Sequence, residues 1–563
     1  MLLEDFEFSR TRSTFNLPTI TVNLNHTALL PTQRHELIAR LSQPIQYDVA
    51  VVGGGATGLG VALDAASRGF SVVLVDSHDF AKGTSSRATK LLHGGVRYLA
   101  QGNIRLVREA LHERTTLLHN APHIAQPLPF IMPSYKWWEK PFYGVGLMMY
   151  DVLAGKAGLG KTEFLNKAQT LSCLPAARAE GLLGSVKYWD GQFNDARLAL
   201  ALARTAATYG ALLVNYCRAL RLNYDGNKVS GLEVSDSETG KTYEIKSRCV
   251  INATGVWVDE LRQLDGKVVP SKSGRPVKPM VAPSQGVHIV VDREFLNSDH
   301  ALMVPKTVDG RVLFAVPWLG KVILGTTDTP RHDLAREPLA FDEEIDFILN
   351  ESARYLTRGP KRSDVKSIWV GLRPLVKPPD EDGESTKKLS REHTILVSRS
   401  GLVTVTGGKW TTYRAMAEDV LERCFADALL HRRAIAKGDE IGSTAQMRLI
   451  GGGESVVNES ISASPGAHSY GSEQIQLQSM DGANVVLTEG LTAAMVRFAV
   501  RFEYARTVED VLARRSRLLF LDAKLAKSIA IEVASLMRDE GVIDAKLDAF
   551  NKLADQYLCP STT

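Results

Sequence analysis

The chain is 563 residues long, more than one hydrophobic core usually supports, so at least two packed units are expected, with room between them for a large ligand. With 44% hydrophobic and 23% charged residues it is neither disordered nor fibrous, and a net charge of +4 without a Lys/Arg run excludes a nucleic-acid binder. The five cysteines, Cys173, Cys217, Cys249, Cys424 and Cys559, are widely spaced and form no CxxC pair, which points to a reducing compartment rather than a disulfide framework.

Residues 1–45 carry Glu4, Asp5 and Glu7 among Arg10 and Arg12, whereas a mitochondrial leader is poor in acids; they read as an N-terminal extension. No signal peptide is legible, and no apolar run approaches the roughly 18 residues of a spanning helix, so the chain is not expected to cross a bilayer.

From Tyr47 the pattern sharpens. An apolar strand at 49–52 runs into Gly53-Gly54-Gly55-Ala56-Thr57-Gly58, an Ala- and Leu-bearing helix follows to Arg68, and a second strand at 71–75 ends on Asp76. Strand, glycine turn, helix, strand and acid within about 30 residues form a dinucleotide-binding βαβ unit. Gly53 makes the tight turn, Gly55 lets the backbone approach a pyrophosphate, and Gly58 lets helix and strand pack closely. The helix N-terminus offers unpaired N–H groups to the phosphates, and Asp76 suits ribose hydroxyls and disfavours a 2′-phosphate. This unit alone leaves NAD and FAD both open.

The next stretch is Gly83-Thr84-Ser85-Ser86-Arg87, then Lys90-Leu91-Leu92-His93-Gly94-Gly95-Val96-Arg97-Tyr98-Leu99. Here the sequence resembles the FAD-dependent glycerol-3-phosphate dehydrogenases, which share the fold of the D-amino-acid oxidase group. Further matches follow in family order: Trp189-Asp190 through Asp195-Ala196-Arg197-Leu198, Asn252-Ala253-Thr254-Gly255-Val256-Trp257, Gly286-Val287-His288, Gly325-Thr326-Thr327-Asp328, Gly371-Leu372-Arg373-Pro374-Leu375, and Thr406-Gly407-Gly408-Lys409-Trp410-Thr411-Thr412-Tyr413-Arg414. The run from Arg501 to Arg515 resembles the family's helical cap. There are departures: the extension at 1–45, a Gly/Ser-rich stretch at 451–482 that reads as a linker or long loop, and no Asp-rich EF-hand loop of the kind eukaryotic mitochondrial relatives carry, which favours a bacterial-type enzyme.

The fold implied is α/β: a Rossmann-like FAD-binding domain (about 46–135, 190–270 and 395–430) interleaved with an antiparallel-sheet substrate domain (136–189 and 271–394), a linker region at 431–489 and a helical cap at 490–563. The activity implied is oxidation of sn-glycerol 3-phosphate to dihydroxyacetone phosphate, with hydride passing from C2 to flavin N5 and electrons on to a membrane quinone. A phosphate ester needs cationic donors, preferably Arg with its bidentate fork. The resemblance points to Arg97, Tyr98, Arg373, Arg391 and Lys409, although an arginine after the polar loop at 380–390 is solvated by default and Arg373 could simply cap a strand end.

Histidine is the natural proton acceptor near neutral pH, and the candidates are His93 and His288. We read His288 as base and His93 as a flavin-ordering residue, with a structural histidine as the competing account of each; Arg373 can assist by stabilising a developing alkoxide. FAD contacts are expected from Gly53, Gly55, Thr57, Gly58, Asp76, Thr84, Ser85, Ser86, Lys90, His93, Gly94, Gly95, Ala253, Thr254, Gly255, Gly408, Lys409 and Thr411. The last three precede a helix expected from Thr412, whose N–H groups would face the flavin's pyrimidine end. No metal site is expected.

Finally, Tyr135-Lys136-Trp137-Trp138-Glu139-Lys140-Pro141-Phe142-Tyr143, leading to Tyr150, combines interfacial aromatics, lysines and an apolar face. A peripheral protein on the cytoplasmic face of the membrane is the expectation, with a homodimer as a further one. The alternatives are an oxidase that reduces oxygen to peroxide, an amine or amino-acid oxidase, and a flavin-binding redox sensor without turnover.

Overall fold

The computed structural model describes residues 29–95, 103–270, 276–377, 393–433, 444–453 and 459–560. Its first sheet has a parallel core in the order Leu212–Val214, Val72–Val75, Gln46–Val52, Thr242–Asn252 and Val403–Gly407, edged by the antiparallel His393–Val397. Its central strands carry the apolar runs Val49-Ala50-Val51-Val52 and Val72-Val73-Leu74-Val75, buried throughout because they are covered on both faces. On one face lies the helix Ala56–Ser67, itself buried from Gly58 onward because helices Asp195–Thr208 and Tyr413–Ala426 pack against it. The hairpin Cys217–Asp225/Lys228–Asp236 extends the first half of Thr242–Asn252.

The second sheet is almost wholly antiparallel; its one parallel pair joins Ala301–Val304 to Ala125–Ser134. Ala125–Ser134 lies in this sheet along its whole length, paired with Gly184–Phe193, so the change of domain falls before Ala125 rather than near 135. Val281–Asp292 is flanked by Lys321–Gly325 and Ser367–Val376, which puts His288 mid-strand and Arg373 opposite Ser284.

Helices from Ala493–Phe502 to Leu547–Gln556 form the cap, whose core merges with the second sheet through Trp318, Trp369 and Phe520. The Gly/Ser-rich stretch has few long elements, as its composition implies, yet is packed: Ile461, Tyr470 and Leu477 join the cap core, and Leu449 just before it joins the core of the first sheet. The end of the N-terminal extension docks too. Helix Arg34–Leu41 buries Leu37 and Leu41, and Arg34 reaches Asp236 and the Tyr216 carbonyl.

Helix Glu139–Ala154 is two-faced. Leu147, Tyr150 and Ala154 point inward, whereas Phe142 (67% exposed), Val145, Met149 and Val152 (80%) share the outer face below Trp137 (81%). Among the described residues no helix is long and apolar enough to cross a membrane.

Candidate active site

The glycine turn builds a phosphate-binding cradle. Gly53 sits at φ 111°, and a Cβ there would lie 2.5 Å from the Ala253 carbonyl oxygen; one on Gly58 would meet the Gly53 carbonyl at 1.9 Å. The Gly54 N–H donates to Asp76 Oδ2 at 2.6 Å and the His78 N–H to Oδ1 at 2.9 Å. Burial nevertheless pushes the Asp76 carboxyl up to about 6 against these two donors. A cavity of about 230 Å³ opens here, and Gly53, Gly55, Asp76, Thr84, Ser85, Ala253, Thr254 and Gly255 all line it. Thr57 and Gly58 follow in the first turn of the helix. This cradle fits a dinucleotide: glycine backbone, helix N-terminus and the Asp76 carboxyl converge on one hollow.

Loop 83–90 is where the domains meet. Thr84 Oγ1 donates to the Leu372 carbonyl at 2.6 Å, Ser85 Oγ accepts the Ala56 N–H at 2.9 Å, and the Ser85 carbonyl accepts Trp410 Nε1–H at 2.8 Å. The Ser86 carbonyl accepts both Lys90 Nζ (2.8 Å) and Arg517 Nη2 (2.7 Å). Lys90, expected on the flavin, turns inward: Nζ donates to Asp195 at 2.7 Å inside a cage of Trp369, Trp318 and Phe520 rings. Burial lowers its pKa to about 7, more than Asp195 raises it. Asp195 opens helix Asp195–Thr208, where the N-terminal dipole favours its charge, and also faces Arg517 at 3.3 Å.

His288 is buried, stacked on Trp369 with ring centroids 5.2 Å apart, and Nε2 is 2.9 Å from Thr89 Oγ1. Nδ1 has no hydrogen-bond partner among the described residues. Burial, then the charges of Lys90 and Arg373, hold its pKa well below the ordinary imidazole value, so the ring is neutral at physiological pH. Arg373 is oriented through Nη1 by the Gln285 carbonyl (3.1 Å) and Asp328 (3.2 Å), and through Nη2 by Thr326 Oγ1 (3.2 Å) and the Thr327 carbonyl (2.9 Å).

His93, Gly94 and Gly95 follow the strand Leu91–Leu92; the Gly94 N–H donates to the Tyr150 hydroxyl at 2.8 Å, and that hydroxyl reaches Asp190, which Arg114 pairs at 2.8 Å. Gly408, Lys409 and Thr411 precede the helix Tyr413–Ala426, close to the position expected, with Gly408 and Lys409 lining a cleft of about 260 Å³ beside Asn103 and His393. Arg97, Tyr98 and Arg391 lie outside the described residues. The reading of the sequence missed Thr89, Trp410, Asp195 and Arg517 as site supports. The first three stand in or beside motifs already singled out, whereas nothing local marks Arg517.

Residues 48–414 match the family model described as FAD dependent oxidoreductase, and residues 443–546 match the C-terminal domain of alpha-glycerophosphate oxidase. The second match begins within the stretch read as a linker. The chain is 39% identical to the mitochondrial glycerol-3-phosphate dehydrogenase of Mus musculus, over 91% of this chain and 72% of that protein. It is 36% identical to that of Schizosaccharomyces pombe, over 94% and 89% respectively. Among solved structures it is similar to the glycerol-3-phosphate dehydrogenase from Bacillus halodurans complexed with FAD (TM-score 0.72, 28% identity, 94% of this chain and 98% of that one). It shares a fold with an L-alpha-glycerophosphate oxidase from Mycoplasma pneumoniae (TM-score 0.53, 16% identity, 71% of this chain and 98% of that one).

Proposed function

This chain belongs to the FAD-dependent glycerol-3-phosphate dehydrogenase family, and from that membership we propose a reaction course and an electron acceptor for it. When bound, FAD supplies the hydride acceptor. Arg373, oriented by acceptors that include the Gln285 and Thr327 carbonyls, and Lys409 bring positive charge to the phosphate ester together with Arg97 and Arg391, and Tyr98 adds a hydroxyl donor. They fix the substrate so that C2 is presented in one orientation.

His288 takes the hydroxyl proton. Thr89 Oγ1, 2.9 Å from Nε2, holds the ring in place. A neutral ring of depressed pKa is a weak base, but it is sufficient: as hydride leaves C2 the oxygen becomes that of a protonated carbonyl, far more acidic than an imidazolium. Loss of the C2 hydride followed by loss of the O2 proton leaves a ketone.

The acceptor is a membrane quinone. The observation that supports this is the helix Glu139–Ala154, which exposes Phe142, Met149 and Val152 on one face while Tyr150 on the other donates to Asp190 and accepts from Gly94. An apolar face flanked by Trp137, Trp138 and Lys136 suits a lipid headgroup layer and sits one side chain from the glycine segment of the site.

Anaerobic addition of sn-glycerol 3-phosphate to the purified holoenzyme should bleach the flavin band, whereas glycerol and an amino acid should not. Recovery with a quinone analogue should be much faster than with air. Fast recovery in air with peroxide formed would make oxygen the acceptor, and no bleaching would refute the substrate.

A further inference from the structure

Between the strand Thr329–Pro330 and the helix Asp342–Tyr355 the chain leaves the second sheet and crosses to the dinucleotide cavity. This strap is anchored on both sides of one residue. The Leu334 carbonyl accepts Trp257 Nε1–H at 3.1 Å, and the Glu337 carboxylate pairs with Arg87 at 2.6 Å and Lys82 at 3.2 Å. Arg336, between the anchors, places its guanidinium 3.8 Å from the Trp257 ring centroid and lines the cavity together with Asp76 and Gly55. Arg331 of the same strap pairs with Asp333. Arg336 makes no salt bridge or hydrogen bond with a described residue.

We propose that Arg336 binds the adenosine diphosphate half of FAD, so that the cofactor itself ties the substrate-sheet domain to the dinucleotide domain. A guanidinium held over an indole at this distance retains N–H donors for phosphate oxygens, and its planar face suits adenine. The cavity presents a helix N-terminus and Asp76, with Lys82 and Arg218 also in its wall, and Arg336 adds a planar cation of the kind a pyrophosphate calls for. Burial lowers the pKa of Arg336, the mark of a cation that lacks a full partner, with Glu260 and Asp76 only partly compensating. Its charge in turn favours ionised Asp76, the form that accepts from ribose hydroxyls. The inference rests on FAD as the cofactor and is independent of the electron acceptor.

The test follows FAD release from the holoenzyme by the rise in flavin fluorescence on dilution, with ADP, which carries this half alone, titrated against rebinding. Arg336→Met keeps an apolar stem on Trp257 and removes the charge. Release should quicken about tenfold, equivalent to about 1.4 kcal/mol, ADP should lose competing power by a similar factor, and Arg336→Lys should fall between. Unchanged release overturns the proposal. So does faster release with ADP competition intact, which would mean that the flavin half alone is loosened. A fall in melting temperature of the FAD-free variant as large as that of its holoenzyme also overturns it, since the strap would then be purely structural.

Discussion

Asp76, lining the cavity with a raised pKa, is placed to couple cofactor binding to pH. Its carboxyl is pushed up to about 6 by burial, yet ribose hydroxyls need the ionised acceptor. Below about 6 a proton must be lost on binding, so FAD affinity should fall up to tenfold per pH unit as the pH drops, and be flat above. The FAD-free fold behaves oppositely: because the folded pKa exceeds the ordinary value of 3.8, the folded state binds more protons over that window and is stabilised as the pH falls through it. Fluorescence titration of FAD against pH checks this, and Asp76→Asn should abolish the slope. Asp76 was legible because it ends a strand at a fixed distance from a glycine turn. Arg336 and Arg517 were not, for their partners are 79 or more positions away: Trp257 for the first, Ser86 for the second.

Elements were more legible than their roles. Apolar runs and a glycine turn placed the first strand and helix within a few residues of Gln46–Val52 and Ala56–Ser67. The contact that makes Gly58 necessary spans five positions, so local pattern sufficed. Gly58→Ala forces a Cβ onto the Gly53 carbonyl at 1.9 Å and should cost about 1–3 kcal/mol of overpacking, read as a lower melting temperature together with weaker FAD retention. In the strand Val281–Asp292 only Ile289 to Val291 form an unbroken apolar run; pairing with Ser367–Val376 extends the strand back to Val281 through Ala282, Pro283, Ser284 and Gln285, which carry no alternation of their own. Burial of His288 follows from that pairing rather than from its neighbours in sequence.

At the scale of the molecule, the cap is bolted to the dinucleotide domain by charge. Asp79, which lines the cofactor cavity, is wholly buried between Arg514 and Arg515 of the π-helical turn Asp510–Arg515, with Arg515 Nη2 3.0 Å from Oδ1. These guanidinium groups hold its carboxyl below the ordinary range despite burial. Asp79→Asn deprives buried Arg515 of its paired carboxylate, while Arg514 keeps Glu509 and Asp510, and should cost about 3 kcal/mol. Chemical denaturation should register the loss, and FAD should be released faster because the cavity wall moves with it. The charge-rich run from Arg501 to Arg515 identified a cap from resemblance, but its target, a single aspartate more than 400 positions upstream, is a product of folding.

By itself the sequence determined the dinucleotide unit, the family resemblance and the segments that carry its motifs, because each depends on contacts within a few turns of chain. The tertiary structure decided which of those residues face the cavity. Lys90 turned from the expected flavin contact into a caged partner of Asp195, and the strap brought in Arg336 from the other domain. The reason is physical: backbone turns are local, whereas desolvation and charge pairing depend on whatever surface the rest of the chain folds against each group.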